Sequence, residues 1–549
     1  MKSSIYTIII IFGAFLMLQS CENTPYLDTK PLDALSEEAV FSDPDLAKAN
    51  LLTNYEGLPW VFGRPVAIPW DAETGDVNSN YDWGLDIRMR EGDYDATSCD
   101  WGPWGRDYDY IRRANVFIEG VEGSAFDDAT KKAFIAEARA LRAVNYSSLY
   151  RCYGQAVIMT KPIPITSKID QQLSSSDDVF NFIISELTAA APDLPVKWDD
   201  NNRGRFEKGA ALGIKARILL HQATLKNDLT LYGEAADAAK AVMDLNRYEL
   251  YPDYGQMFLA MADNEEFMLY YQYATNPGRH RFDGAPWLVM NTAVSMGGWG
   301  GSRPTLNLVD QFEMTDGKLY SESTLYNDQD PYANRDPRFY ASIYYQGSTS
   351  RGRPFENWPA DEANGIPEGK DFRSWSGLTT GFFIKKGIDE SIEDLNGSDA
   401  VGGPMKQYDP FLRYADILLI YAEAKNEVAG PVADVYDAID QVRERAGMPD
   451  LQAGLTKDEM RDKIRHERRV ELCFEESHFY DMRRYGLTYA MSVANVPMWR
   501  QTVTKNPDGS VTYGREIFMD HHFNARNLLW PVPQGERDKN SGLGQNSGY

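Results

Sequence analysis

The chain has 549 residues with a formal net charge of −25, 12 Trp, 32 Tyr and only 6 His. An acidic balance this strong, with a pI near 4.7, excludes a polyanionic partner such as nucleic acid, whose binding requires clustered Lys and Arg to neutralise phosphates. Many aromatic rings beside few His favour stacking surfaces over His-based chemistry.

In chain order, Met1-Lys2-Ser3-Ser4 precede an almost uncharged run from Ile5 to Leu18, followed by Gln19-Ser20-Cys21. A basic start, a short apolar core and a small residue before the break make a secretory signal. The run is shorter than the ~20 residues that a bilayer-crossing helix needs. Leu18-Gln19-Ser20-Cys21 resembles the lipobox of bacterial lipoproteins, with Gln19 departing from the small or apolar residue usual there. It implies a signal peptide over 1–20 and lipidation of Cys21, and several acyl chains would anchor the protein durably. Cys99, Cys152 and Cys473 are odd in number and widely separated, so no disulfide framework is indicated. One bridge is allowed in an oxidising envelope, and buried free thiols are the plainer reading.

Periodicity of three and four predicts helices over Trp104 to Glu119 and Lys131 to Tyr150. A hairpin of two helices follows, with stripes Leu212, Ala216, Leu219, Ala223 and Tyr232, Ala235, Ala239, Val242 on either side of Lys226-Asn227-Asp228. Small residues on both stripes allow the close approach seen in tetratricopeptide (TPR) hairpins. Phe411 to Ala424 reads as a buried helix. The next helix carries Val435, Ile439 and Val442 and stops at Gly447 and Pro449. A third helix, Lys457 to Phe474, offers Arg468 and Glu471 as an i,i+3 pair. Between the helical blocks, about 56–103 and 250–404 are rich in Gly, Pro, Asn, Asp, Trp and Tyr without a sustained period, apart from strand-like pieces at Phe267 to Tyr273, Phe339 to Tyr345 and Gly381 to Lys386. Long irregular segments on a rigid frame are where binding groups sit.

Catalytic motifs are scarce. His466-Glu467 lacks the second His of a zinc peptidase, adjacent His521 and His522 diverge, and no nucleophile elbow or phosphate loop occurs, so neither a metal nor a cofactor is expected. Paired carboxylates are abundant, which keeps a glycosidase as an alternative, because its acids are defined by spatial separation. Asp71-Ala72-Glu73 and Asp107 to Asp109 read as solvated surface, and Trp101 and Trp104, beside a helix, as core.

Two loop segments mix rings with amides and charges, the set that stacks on sugar C–H faces and bonds hydroxyls. The first offers Asn80, Tyr81, Trp83, Asp86 and Arg88; the second offers Asp283, Trp287, Asn291, Trp299 and Arg303. These ten are the candidate ligand contacts.

Arg413-Tyr414-Ala415-Asp416-Ile417-Leu418-Leu419-Ile420-Tyr421-Ala422-Glu423-Ala424 closely resembles a signature segment of the SusD/RagB family. Ile464 to Leu472 with Phe479 to Arg484, Leu529 to Glu536, the ending Gln545 to Tyr549, Glu137 to Ala143 and Asp28 to Pro31 match further family motifs in order, with departures at Ser477-His478 and Ser547. The resemblance implies a mainly α fold, a scaffold of about four TPR-like helix pairs carrying a long loop-rich, partly β ligand face. It thus implies a single unit over 21–549: scaffold about 37–55, 104–246 and 405–490, face about 56–103 and 250–404, and tail 491–549. It also implies a non-catalytic, lipid-anchored protein on the extracellular side of the outer membrane, passing captured glycan to a SusC-type TonB-dependent transporter. Peptide cargo, as in some relatives, is an alternative. The charged motifs themselves read as architecture, with Arg413, Glu423, Asp481 and the charges of Arg465 to Glu471 paired inside a helical assembly.

Overall fold

The computed structural model describes residues 36–59, 70–79, 85–99, 101–164, 170–260, 264–272, 286–373, 379–392 and 408–549. Cys21 and the signal segment, with Asn80, Tyr81, Trp83 and Asp283, lie outside them. Among the described residues no helix is long and apolar enough to cross a membrane.

The frame is helical: α1 (Pro44–Thr53), α2 (Trp104–Gly123), α3 (Asp128–Tyr153), α4 (Ser176–Ala190), α5 (Lys208–Lys226), α6 (Leu229–Met243), α7 (Tyr414–Ala429), α8 (Ala433–Arg445), α9 (Lys457–Glu471) and α10 (Ser477–Arg484). Local chemistry sets their starts. Asp127, Ser175 and Asp228 cap α3, α4 and α6 through their side chains, and Thr456 with Glu459 forms a capping box on α9; each such cap contributes about 1 kcal/mol. Asn227, left-handed at φ 50°, ends α5 and turns the chain into α6. From α2 to α8 each long helix packs on the next, and α9 also lies on α7. This is the TPR-like stack.

The stack is continuous in space but not in sequence. Residues 244–413 leave after α6 and return at α7, yet α6 and α7 pack directly together. A Cβ on Gly213 of α5 would come within 2.8 Å of terminal methyls of Ile417 and Leu412, which would have to shift to admit it.

Strands are short and paired antiparallel in twos. β1 (Val77–Ser79) pairs with β3 (Ser302–Pro304), β2 (Phe267–Gln272) with β6 (Tyr408–Arg413), and β4 (Ile343–Tyr344) with β5 (Phe383–Ile384). A longer hairpin joins β7 (Met498–Lys505) to β8 (Val511–Met519). The main apolar core fills the stack, and a second one, including Phe258, Trp287, Phe312, Phe339 and Ile384, lies under the insertion.

An ion-pair lattice joins the two cores. Arg413 meets Glu266, Glu471 and Glu475; Arg338 meets Asp336, Glu467 and Glu471; Arg443 meets Glu313 and Glu467; and Lys386 meets Glu475. On the other side of α9, Arg468 bonds Asp416 and Asp481, and Arg484 bonds Asp481 and Glu423. Burial alone would raise these carboxyls, but the surrounding guanidinium groups hold Asp416, Glu467, Glu471 and Asp481 below the usual range.

Several expectations change. The helix expected from Phe411 starts at Tyr414, because residues 408–413 are spent on pairing with β2. Phe339 to Tyr345 is largely the end of a short helix, Pro337–Ser342, before β4. Arg468 and Glu471 ignore each other for distant partners that complete buried charge shells. Asp71, Glu73 and Asp107 are buried, not solvated: Arg483, Tyr94 and Trp530 surround Glu73, while Arg106 bonds Asp107. Asp109 is exposed. Cys99, Cys152 and Cys473 are buried free thiols.

Candidate functional site

The two loop segments singled out for their rings meet in β1 and β3. Asn78 lies opposite Arg303 and Ser79 opposite Ser302, so the chain entering Asn80 and the chain leaving Trp299 run side by side. The anchor below is Asp76. Its backbone carbonyl accepts from Thr305, and its carboxylate is held by Arg469 and by His478 at 2.6 Å. Despite burial, the Arg469 guanidinium and the hydrogen bond from His478 keep Asp76 below the ordinary range.

Trp299 is half-buried, its amide donating to the Val289 carbonyl at 2.9 Å. Amides of Gly300 and Gly301 bond Thr292 and Met290, closing a tight turn. Arg303 is fully buried: its Nε donates to Gly300 O at 3.0 Å and its guanidinium stacks 3.6 Å from the Phe383 ring centre. Trp287 is 1% exposed and gives its indole N–H to the Lys386 carbonyl at 2.9 Å. Asn291, at the end of the short helix Pro286–Asn291, is also fully buried. These three are buried, and a side chain without exposed surface has none to offer a ligand. Arg88, on the short helix Leu85–Glu91, is half-buried and donates to the Ser98 carbonyl at 2.9 Å. Asp86 lies on the same helix.

Asp371 ties further loops to this region. It accepts both Arg353 nitrogens at 2.7 and 2.8 Å, the Glu356 amide at 2.8 Å and the Ser295 hydroxyl. Glu356 and Trp358 both pair with the returning strand, through Asp371 N and Gly369 N. Trp358 is half-buried, with Lys505 of β7 5.2 Å from its ring centre. The sequence reading passed over Trp358, although Asn357, Pro359 and the acidic residues around it carry the same compositional signal as the segments chosen. Chemically, the region offers half-exposed indole faces beside cationic donors on loops braced by buried bonds. Asp71 and Glu73, the carboxyls that burial raises most clearly near β1, are too enclosed to reach a substrate. Among the described residues no group of three or more His, Cys, Asp and Glu could hold a metal ion.

Comparison with known proteins follows the same architecture. A family profile described as "SusD family" matches residues 258–549, and another, "Starch-binding associating with outer membrane", matches 73–220. A SusD-like protein of Bacteroides ovatus is 24% identical, the alignment covering 94% of this chain and 89% of that one. A SusD-like protein structure from Bacteroides fragilis superposes with a TM-score of 0.78 at 25% identity, over 95% of this chain and all of the other. A second, described as a SusD-like carbohydrate binding protein from the same species, gives 0.77 at 24% identity, over 92% of this chain and all of that one.

Proposed function

This chain belongs to the SusD family, and on that premise we propose that it captures an oligosaccharide or polysaccharide on its loop-rich face without cleaving it. The observation that supports the reading is the β1–β3 pairing, which sets the chain entering the first ring- and amide-rich segment beside the end of the second. The carbohydrate-binding description of one structural relative and the starch-binding description of the second family profile support the choice of glycan. Contacts are assigned to Asn80, Tyr81, Trp83, Asp86, Arg88, Asp283 and Trp299, with Trp358 added; Arg303 braces the turn on which Trp299 sits through Gly300, and Trp287 and Asn291 are buried. Lipid at Cys21 holds the protein on the outer membrane, facing outward, and captured glycan passes to a SusC-type TonB-dependent transporter.

Calorimetry of the chain lacking residues 1–21 against a panel of oligosaccharides tests this reading. It expects saturable binding and no new reducing ends on prolonged incubation. Binding of peptides alone would shift the cargo class. Release of reducing ends, abolished by one carboxylate substitution, would make the protein a hydrolase. Loss of membrane association in Cys21→Ala checks the anchor.

A further inference from the structure

A pocket of about 50 Å³ lies within the helical frame, where α3, α5, α7, α9 and α10 converge. Five guanidinium groups line it: Arg151, Arg217, Arg413, Arg468 and Arg484. Four have carboxylate partners. Arg217 and Arg468 share Asp416, Arg468 and Arg484 share Asp481, and Arg413 takes Glu475. Arg151 is the exception. It is 6% exposed, its Nε makes one long bond of 3.4 Å to the Ser147 carbonyl, and its guanidinium lies 3.7 Å from the Tyr480 ring centre. Among the described residues no carboxylate comes within ion-pair distance of it, Glu476 on the cavity wall included.

His221 faces the same space, 6% exposed, with its ring edge-on to Tyr150 and no protein hydrogen-bond partner among the described residues. Burial, with Arg151 and Arg484 nearby, pushes this imidazole down to about 3, so at neutral pH it is uncharged and offers one N–H. Arg413 also holds Glu266 and Glu471, and Arg484 also holds Glu423, so four of the five lining guanidinium groups are matched by carboxylates. Arg151 is the lining arginine left without a carboxylate partner among the described residues. A guanidinium left buried and unpaired is strongly unfavourable, and a cavity needs only ~10–15 Å³ of such volume per water-sized occupant.

We propose that this cavity is a binding site for a monovalent inorganic anion of halide size, held by the Arg151 guanidinium with the His221 N–H as second donor. Bound there, the ion completes the charge shell among α3, α5 and α10 and ties those helices together. It would stabilise the fold by mass action, because the unfolded chain has no such site.

The test uses the chain from residue 22 onward. Melting is followed in sodium chloride or bromide against sodium gluconate at equal ionic strength, and crystals are soaked in bromide for anomalous diffraction. The expected result is a saturable rise in Tm of about 2 °C with either halide, lost in Arg151→Met, and a bromide peak within hydrogen-bond distance of Arg151. Equal melting in halide and gluconate, a halide response that survives in Arg151→Met, or water alone in the cavity of bromide-soaked crystals would each overturn it. If Arg151→Met does not fold, His221→Gln takes its place and must weaken the halide response, while the diffraction experiment needs no variant.

Discussion

Arg413 and Arg353 each grip carboxylates with several nitrogens, yet they serve different parts of the molecule. The Arg413 side chain is 1% exposed and locks β6 to Glu266, Glu471 and Glu475. That of Arg353 is 29% exposed and shares Asp371 with Ser295 on the loop-rich side. The same contrast holds for indoles, with Trp287 sealed in a core and Trp299 half-open at a turn. Residue type alone does not divide frame from face. What divides them is whether the partners come from several distant elements, which over-determines a position, or from the neighbouring loop, which leaves a surface to use.

The hardest way to break this contrast is Arg413→Met. Three buried carboxylates would lose a shared cation, and denaturant unfolding is expected to show a loss of about 3–5 kcal/mol. Normal unfolding with abolished ligand binding would reverse the roles assigned here.

A paired test on the indoles comes next. Trp287→Ala should cost roughly 3–5 kcal/mol of stability by opening a cavity. Trp299→Ala should leave melting nearly intact while weakening glycan affinity about fivefold, near 1 kcal/mol. Equal effects of the two on melting would erase the distinction between support and contact.

Acid should attack the frame first. Burial pushes His521 down to about 4 and His221 to about 3, whereas an unfolded His titrates near ~6.5. Their contribution is therefore complete above pH ~6.5 and is lost as pH falls toward the folded values, on the order of 3 kcal/mol for His521 by pH ~4. The depressed carboxyls Asp416, Glu467, Glu471 and Asp481 add a second loss below their unfolded values near pH ~4. Urea unfolding from pH 7 to 4 should show this decline, reduced in His521→Asn; a flat profile would contradict it. The smallest effect belongs to the thiols. Since Cys99, Cys152 and Cys473 are free, reductant should leave Tm unchanged, and a fall would reveal a bridge.

Much of the frame was legible because its information is local: apolar stripes at three and four, and a stop at Gly447. The architectural reading of Arg413, Glu423 and Asp481 also matches their buried pairing. Burial of Asp71 and Glu73 was not legible, because Arg483 stands 410 positions from Glu73 and no spacing rule connects them. Nor could sequence separate Trp287 from Trp299, since both sit in Gly-rich chain and only tertiary packing decides which ring is covered. The β7–β8 hairpin was readable but passed over within the tail. Asn506-Pro507-Asp508-Gly509-Ser510, with Gly509 at φ 88°, is a turn between two strands of β-favouring residues.

The insertion after α6 leaves and re-enters the stack through a single gate, with Gln272 opposite Tyr408. Because α6 and α7 are already in contact, the chain between those two residues is expected to act as an exchangeable cassette, provided its β3 keeps its pairing with β1. Lengthening it adds only loop-closure entropy, which grows by about 0.6 kcal/mol for each doubling of the loop. Any transplanted cassette must still bring its own counterparts of Glu313, Arg338 and Lys386, the charges by which this one plugs into α8 and α9 and the turn after them. The loops above that socket can then vary while the helical stack below is left unchanged.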